Sequence, residues 1–254
     1  MCYSINYLMF DQIQSEVIFH EVIDSTNLEA KRLIENDKIN KATWIIANRQ
    51  TSGKGRNNNK WVSEVGNFYG SYVLPINLVH RKIPFISCIS SLSVYDAIKN
   101  FLPDNALLKI KWPNDILYND AKLAGILIEN LLSESASFSI IGIGINLKNS
   151  PAINNHKTIS IKSIIENEVM PKDILGTLDS NINNYLNILN RDDISELIEL
   201  YKNNCWKMRD RVRFLQNNIE FEGILDDITD TFEILIKVNG ELKKFNSGEL
   251  SFSY

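Results

Sequence analysis

Apolar positions along this chain alternate between two periods, and the switches mark its elements. Residues 17–23 form a short run rich in β-branched side chains and read as a strand. Four capping or turn residues follow, Asp24-Ser25-Thr26-Asn27. Ala30, Leu33 and Ile34 then recur at helical spacing. Residues 43–47 and 67–74 return to strand character, while 50–60 bury almost nothing and predict a polar loop. Pro84 opens a helix with Phe85, Ile89, Leu92, Ile98 and Phe101 along one stripe, and Pro103 closes it. Residues 107–111, 116–118, 123–129 and 137–147 predict four more strands. Their close turns suggest hairpins, so the sheet is expected to be mixed and mostly antiparallel, with flanking helices in an α+β arrangement. Pro171 starts a helix carrying Ile174, Leu175, Leu178, Ile182, Tyr185, Leu186 and Leu189, and another is predicted over 194–206.

From Arg211 the texture changes to short strands at 212–215, 219–225, 232–238 and 242–245, separated by Asn and Asp turns. Asn239-Gly240 is a strong type I′ hairpin signal. This tail has the size of a small barrel and suggests a division into 1–208 and 209–254. A length of 254 residues fits one large domain and a small one. With 44% hydrophobic and 23% charged residues, the chain is neither disordered nor fibrous. Its formal charge of −4 argues against a general nucleic-acid or acidic-membrane binder.

Cys2, Cys88 and Cys205 are widely spaced and predict neither disulfides nor a zinc site, so a reducing cytoplasm is expected. Residues 1–8 lack the basic flank and apolar region of a signal peptide, and no apolar run of membrane-spanning length follows. His20, His80 and His156 lie in unlike contexts and form no catalytic grouping.

Three segments place polar and cationic residues where a fold alone has no need of them. In Gly53-Lys54-Gly55-Arg56, followed by Lys60-Trp61, two glycines permit close backbone approach and the amides can cradle an anion. A solvated basic loop would read the same. It is not a P-loop, since no glycine stands five residues before Gly53 and no Ser or Thr follows Lys54. Lys111-Trp112-Pro113-Asn114-Asp115 leads through Tyr118-Asn119-Asp120-Ala121 to Lys122-Leu123-Ala124-Gly125. Its lysines suit phosphate, and Asp115 beside Asn114 can hold a hard cation such as Mg²⁺; an edge hairpin guarded by Lys and Pro is the plainer alternative. In Gly142-Ile143-Gly144-Ile145-Asn146 one strand face loses its side chains, so a ligand or another backbone is expected against it.

Taken in order, Asp24 to Asn27, Gln50 with Gly53-Lys54-Gly55-Arg56 and Lys60-Trp61, Lys111 to Asp115, Lys122 to Gly125, and Gly142-x-Gly144-x-Asn146 closely resemble the biotin protein ligases. The resemblance runs from about Val17 to Leu250 and includes Gly248-Glu249-Leu250-Ser251 near the end. It implies a class II synthetase-like catalytic domain with a small SH3-like barrel behind it. The implied reaction activates biotin with ATP and Mg²⁺ to biotinyl-5′-AMP and pyrophosphate. Biotin then passes to one lysine of a biotin carboxyl carrier protein, of acetyl-CoA carboxylase or a related carboxylase.

By the same resemblance Lys122, Arg56 and Lys111 are the catalytic cations. Ser25, Thr26, Asn27, Gln50, Gly53, Lys54, Gly55, Arg56, Lys122 and Gly125 would bind biotin. Arg56, Trp61, Lys111, Asn114, Asp115, Lys122 and Asn146 would bind ATP and the adenylate, with Asp115 a ligand for Mg²⁺. Charge neutralisation between two anions is the central problem of such chemistry, and these cations suit it. The family's usual Gly-Arg-Gly-Arg is here Gly53-Lys54-Gly55-Arg56, which keeps charge but loses one planar fork, and Asn57-Asn58-Asn59 follows where relatives are often more basic.

A lipoate–protein ligase is the nearest rival, and a catalytically silent biotin binder is another. A bifunctional ligase and repressor would need an N-terminal winged helix, for which the space before residue 17 is too short. The expectation is therefore the monofunctional form, without DNA or membrane contact, as a monomer or homodimer.

Overall fold

The computed structural model describes residues 13–76, 82–132, 137–151, 157–191, 194–217 and 219–251; Cys2, His80, His156 and the leader expectation for residues 1–8 lie outside the described residues. A seven-stranded sheet is built from β1 (Glu16–Ile23), β2 (Thr43–Gln50), β3 (Phe68–Pro75), β4 (Leu108–Lys111), β5 (Asp115–Tyr118), β6 (Ala121–Leu131) and β7 (Phe138–Ile145), in the order β1-β2-β3-β7-β6-β5-β4. Only β1 and β2 run parallel; the other neighbours are antiparallel, so the mixed, mostly antiparallel sheet is observed. Helix α1 (Thr26–Glu35) makes the β1–β2 crossover that a parallel pair requires.

Helix α2 (Phe85–Lys99) differs from its predicted stripe. It ends before Phe101, and Ile86, Ser90, Ser91, Ser93, Val94 and Ala97 are buried as well as the striped residues. The helix is enclosed because it packs against the sheet on one side and against α3 (Pro171–Asn190) and α4 (Ile194–Asn204) on the other. Its interior serines satisfy themselves, Ser90 and Ser93 donating to the carbonyls of Ile86 and Ile89 at 2.6 Å. In α3 the expected residues Ile174, Leu175, Leu178, Ile182 and Leu189 are buried, while Tyr185 and Leu186 are half-buried. Helix α4 stops at Asn204, and Trp206 lies in the turn beyond. Among the described residues no helix is long and apolar enough to cross a membrane.

The C-terminal strands are β8 (Arg211–Gln216), β9 (Ile219–Ile228), β10 (Ile234–Val238), β11 (Glu241–Phe245) and β12 (Glu249–Ser251), ordered β11-β10-β9-β8-β12. Strand β12 was missed in the sequence because three residues carry no readable alternation. Phe232, expected to begin a strand, is a buried turn residue with φ 62°. Asn239 and Gly240 both have positive φ, as a type I′ turn requires. The antiparallel ladder forms one five-stranded sheet. Phe232 packs on Phe85 and Tyr201, with ring centroids 5.8 and 4.9 Å apart, and Phe214 lies 6.5 Å from Trp112. One hydrophobic cluster therefore runs through both sheets.

Candidate active site

The three sequence segments and the first turn of α1 meet around one cavity of about 1210 Å³. Ser25, Thr26, Asn27, Gln50, Lys54, Gly55, Arg56, Trp61, Lys111, Asn114, Asp115, Lys122, Gly125 and Asn146 all line it. Gly53 alone of the expected site residues does not. A Cβ there would sit 2.6 Å from the Trp61 carbonyl and 2.9 Å from Ser63 Oγ, so this glycine makes room behind the wall.

The Gly/Lys loop is a small hairpin closed by the Lys54–Lys60 bridge. Gly55 N donates to Asn59 O at 2.7 Å and Trp61 N to Gly53 O at 2.9 Å. At its tip Asn57 has φ 54°, in the left-handed region that asparagine tolerates. The departure at this position thus has a backbone reason. Arg56 reaches across, donating to Asn114 Oδ1 at 2.9 Å and to the Gly248 carbonyl at 3.1 Å.

Lys111 and Asp115 pair across the β4–β5 turn, and Asp115 faces Gly125 on β6. Asn114 secures that turn by giving Nδ2 to Ile126 O at 2.6 Å and receiving Ile126 N at 2.9 Å. Ser87 and Ser91 of α2 donate to the Pro113 carbonyl from behind. Lys122 Nζ lies 2.7 Å from Asp115 Oδ1 and 5.6 Å from the centre of the Trp61 ring. Burial pushes the Lys111 ammonium below its usual range; Asp115 and Glu249 oppose that shift, while Lys122 and Arg56 add to it. Asn146 is buried and spends Nδ2 on the Ile159 and Lys122 carbonyls at 3.2 and 3.4 Å, clipping the segment after residue 157 to β6.

Side chains pack against the bare glycine face. A Cβ on Gly144 would come within 2.5 Å of the Trp61 indole, one on Gly125 within 2.9 Å, and one on Gly142 would strike Asn27. At the cavity's uncharged end, Gln50 Oε1 accepts Thr26 N at 2.9 Å and lies 3.1 Å from Thr26 Oγ1; Gln50 Nε2 donates to Ser63 Oγ at 3.1 Å. Ser25 stands at the N-cap of α1, yet its hydroxyl makes no capping bond.

Seven cations line the cavity (Lys54, Arg56, Lys60, Lys111, Lys122, Lys157 and Arg213) against three carboxylates, Asp115, Asp120 and Glu249. Sequence reasoning missed Asp120, Lys157, Arg213, Glu249 and Trp206 as wall residues. They belong to connections and to the C-terminal sheet, and no local pattern shows that these fold back onto the site. Among the described residues no group of three or more His, Cys, Asp or Glu is placed to hold a metal ion. An arrangement of concentrated positive charge beside a neutral hydrogen-bonding end can gather two anionic groups and orient a polar, uncharged one.

Comparison with known proteins finds relatives of both sequence and fold. The chain is 35% identical over 161 residues to the biotin–[acetyl-CoA-carboxylase] ligase of Paracoccus denitrificans, covering 61% of this chain and 66% of that protein. It is 32% identical over 164 residues to the human biotin–protein ligase, covering 62% of this chain and 22% of that one. The matched region thus spans less than two thirds of either relative. The biotin protein ligase from Aquifex aeolicus, solved in complex with biotin and ATP, superposes with a TM-score of 0.80 at 25% identity, covering 93% of this chain and 97% of that one. The biotin/lipoate A/B protein ligase family matches residues 19–146, half of the sequence. This chain belongs to the biotin/lipoate A/B protein ligase family.

Proposed function

We propose that this chain is a biotin protein ligase. The biotin carboxylate attacks the α-phosphate of ATP, forming biotinyl-5′-AMP and releasing pyrophosphate. The ε-amine of an acceptor lysine on a biotin carboxyl carrier domain then attacks the acyl carbon, forming an amide and releasing AMP. The observation that carries this reading is the meeting of Lys54, Arg56, Lys111 and Lys122 on one cavity whose other end offers Ser25, Thr26 and Gln50 without a charge. A lipoyl head group has no ureido ring for such a neutral donor and acceptor set, and the named relatives also favour biotin.

In this mechanism Arg56, Lys111 and Lys122 neutralise the carboxylate and phosphate as they approach, and Lys122 stabilises the charge that develops between them. Trp61 and the loop carrying it exclude water that would hydrolyse the mixed anhydride. Asn114 fixes Arg56, and Asn146 holds the wall on the nucleotide side. Mg²⁺ usually takes one or two protein carboxylates plus substrate phosphates. Asp115 fits that sparse requirement with the oxygen that Lys122 leaves free, and the ion would supply further neutralisation of the phosphates. The two buried thiols Cys88 and Cys205 are unpaired, which suits the reducing cytoplasm.

The test is mass spectrometry of a biotin carrier domain incubated with the protein, biotin and MgATP, with lipoate in a parallel reaction. A biotin-sized mass increase on one lysine is expected; lipoylation alone would overturn the reading. In the same preparation, Lys122→Ala and Arg56→Ala should each slow biotin-dependent ATP/pyrophosphate exchange more than tenfold while circular dichroism stays unchanged.

A further inference from the structure

We infer that Glu129, an exposed β6 residue outside the cavity, sets the hydrogen-bond polarity of the head-group pocket through Asn27, Ser71 and Thr26. This rests on the biotin reading and specifies how the neutral end of that site recognises its ligand.

Asn27 Nδ2 lies 2.7 Å from Glu129 Oε2. An ionised carboxylate only accepts, so the Asn27 amide must turn its nitrogen to Glu129 and its oxygen inward. That oxygen is 2.5 Å from Ser71 Oγ, and Ser71 Oγ is also 2.7 Å from Thr26 Oγ1. Ser71 has one hydrogen. Asn27 Oδ1 has none to give, so the Ser71 hydrogen goes to Asn27. The Thr26 hydrogen has two acceptors within reach, Gln50 Oε1 at 3.1 Å and Ser71 Oγ at 2.7 Å; the shorter contact, between two hydroxyls of which Ser71 has already spent its hydrogen, takes it. The bonds run in one direction, Thr26 to Ser71 to Asn27 to Glu129, and Thr26 Oγ1 faces the pocket as an acceptor only.

Gln50 is fixed with the opposite character. Its Oε1 receives the Thr26 N–H, and one Nε2 hydrogen goes to Ser63, which leaves the other as a donor. Thr26 and Gln50 therefore offer one acceptor beside one donor. That is the complement of an N–H next to a C=O, as in a cyclic urea. Thr26, Asn27 and Ser71 are all less than 5% exposed, so bulk water does not substitute for a lost bond.

Glu129→Lys replaces an acceptor with a donor. It turns the Asn27 amide round, reverses Ser71 and redirects the Thr26 hydrogen. Glu129→Gln can keep a carbonyl towards Asn27 and preserves the original direction. In biotin-dependent ATP/pyrophosphate exchange, Glu129→Lys is expected to raise the KM for biotin at least tenfold, with kcat and the KM for ATP within twofold of the original. Glu129→Gln should stay within twofold in all three. Ser71→Ala, which interrupts the same path, should raise the KM for biotin and leave that for ATP unmoved. An unchanged KM for biotin in Glu129→Lys, or an equal rise in Glu129→Gln, overturns the inference. Absence of biotin-dependent exchange in the unsubstituted chain overturns both the relay and the proposed function, which separates the two failures.

Discussion

Lys111 shows how a residue that lines the cavity can oppose folding. Its folded pKa lies below the ordinary 10.5, chiefly through burial, so the folded chain binds fewer protons there than the unfolded one. Lys111 therefore costs stability at neutral pH, and the cost fades as pH rises through the depressed value towards 10.5. Replacing this half-buried cation with an apolar side chain ends both its desolvation and the repulsion from Lys122 and Arg56, a stabilising change on the order of 1 kcal/mol. Lys111→Met should raise the melting temperature of the ligand-free protein by roughly 2–4 °C at neutral pH. The advantage should shrink towards pH 10, and ATP/pyrophosphate exchange should fall at least tenfold. Thermal scans across pH and the exchange assay together check this. The cation itself was legible in the sequence, as were Arg56 and Lys122, because each sits in a motif of fixed spacing. Ser63, Ser71 and Glu129 were not. A serine inside a strand carries no sign that its hydroxyl ends beside Thr26, a residue 45 positions away.

Elements place these residues, and the β5–β6 hairpin is the most exacting of them. Its turn, Asn119-Asp120, has two positive φ angles, 47° and 61°. Asp120 then accepts Trp206 Nε1 at 2.7 Å, linking the hairpin to the end of α4. Trp206 is almost fully buried, and removing a hydrogen bond to a charged acceptor typically costs about 1–3 kcal/mol. Asp120→Ala should lower the free energy of unfolding by about that amount in a urea titration. Asp120→Asn, which keeps an acceptor oxygen, should recover most of it. Element type was readable almost throughout, since hydrophobic period and turn residues agreed. Element ends were read less well. The helix predicted to reach Trp206 stops at Asn204, and the strand predicted to end at residue 47 continues to Gln50, because tertiary pairing with β1 extends it. The enclosure of α2 was hidden for a related reason: its serines look solvent-facing until Ser90 and Ser93 are seen bonded to their own helix and Ser87 and Ser91 to the Pro113 carbonyl.

The whole molecule joins two sheets more closely than the composition change at Arg211 suggested. We propose the division near residue 208 as a change of sheet within one core, since Phe85, Tyr201 and Trp112 pack directly against Phe232 and Phe214. Tryptophan fluorescence and far-ultraviolet circular dichroism should therefore report one coincident unfolding transition in urea. Two separated midpoints would argue for independent domains. The charge pattern also belongs to this scale: a chain of net charge −4 gathers a surplus of four positive side chains around one cavity. Anionic ligands are thus drawn to one face of a protein that repels them elsewhere. The indole of Trp61, laid over Gly125 and Gly144, adds a last consequence. A narrow apolar strip left bare would invite water or a stray neighbour. Here the indole rests where any Cβ would have to stand, so Trp61 and these two glycines form one fitted unit, and a larger residue at either glycine would have to shift the loop that carries the tryptophan.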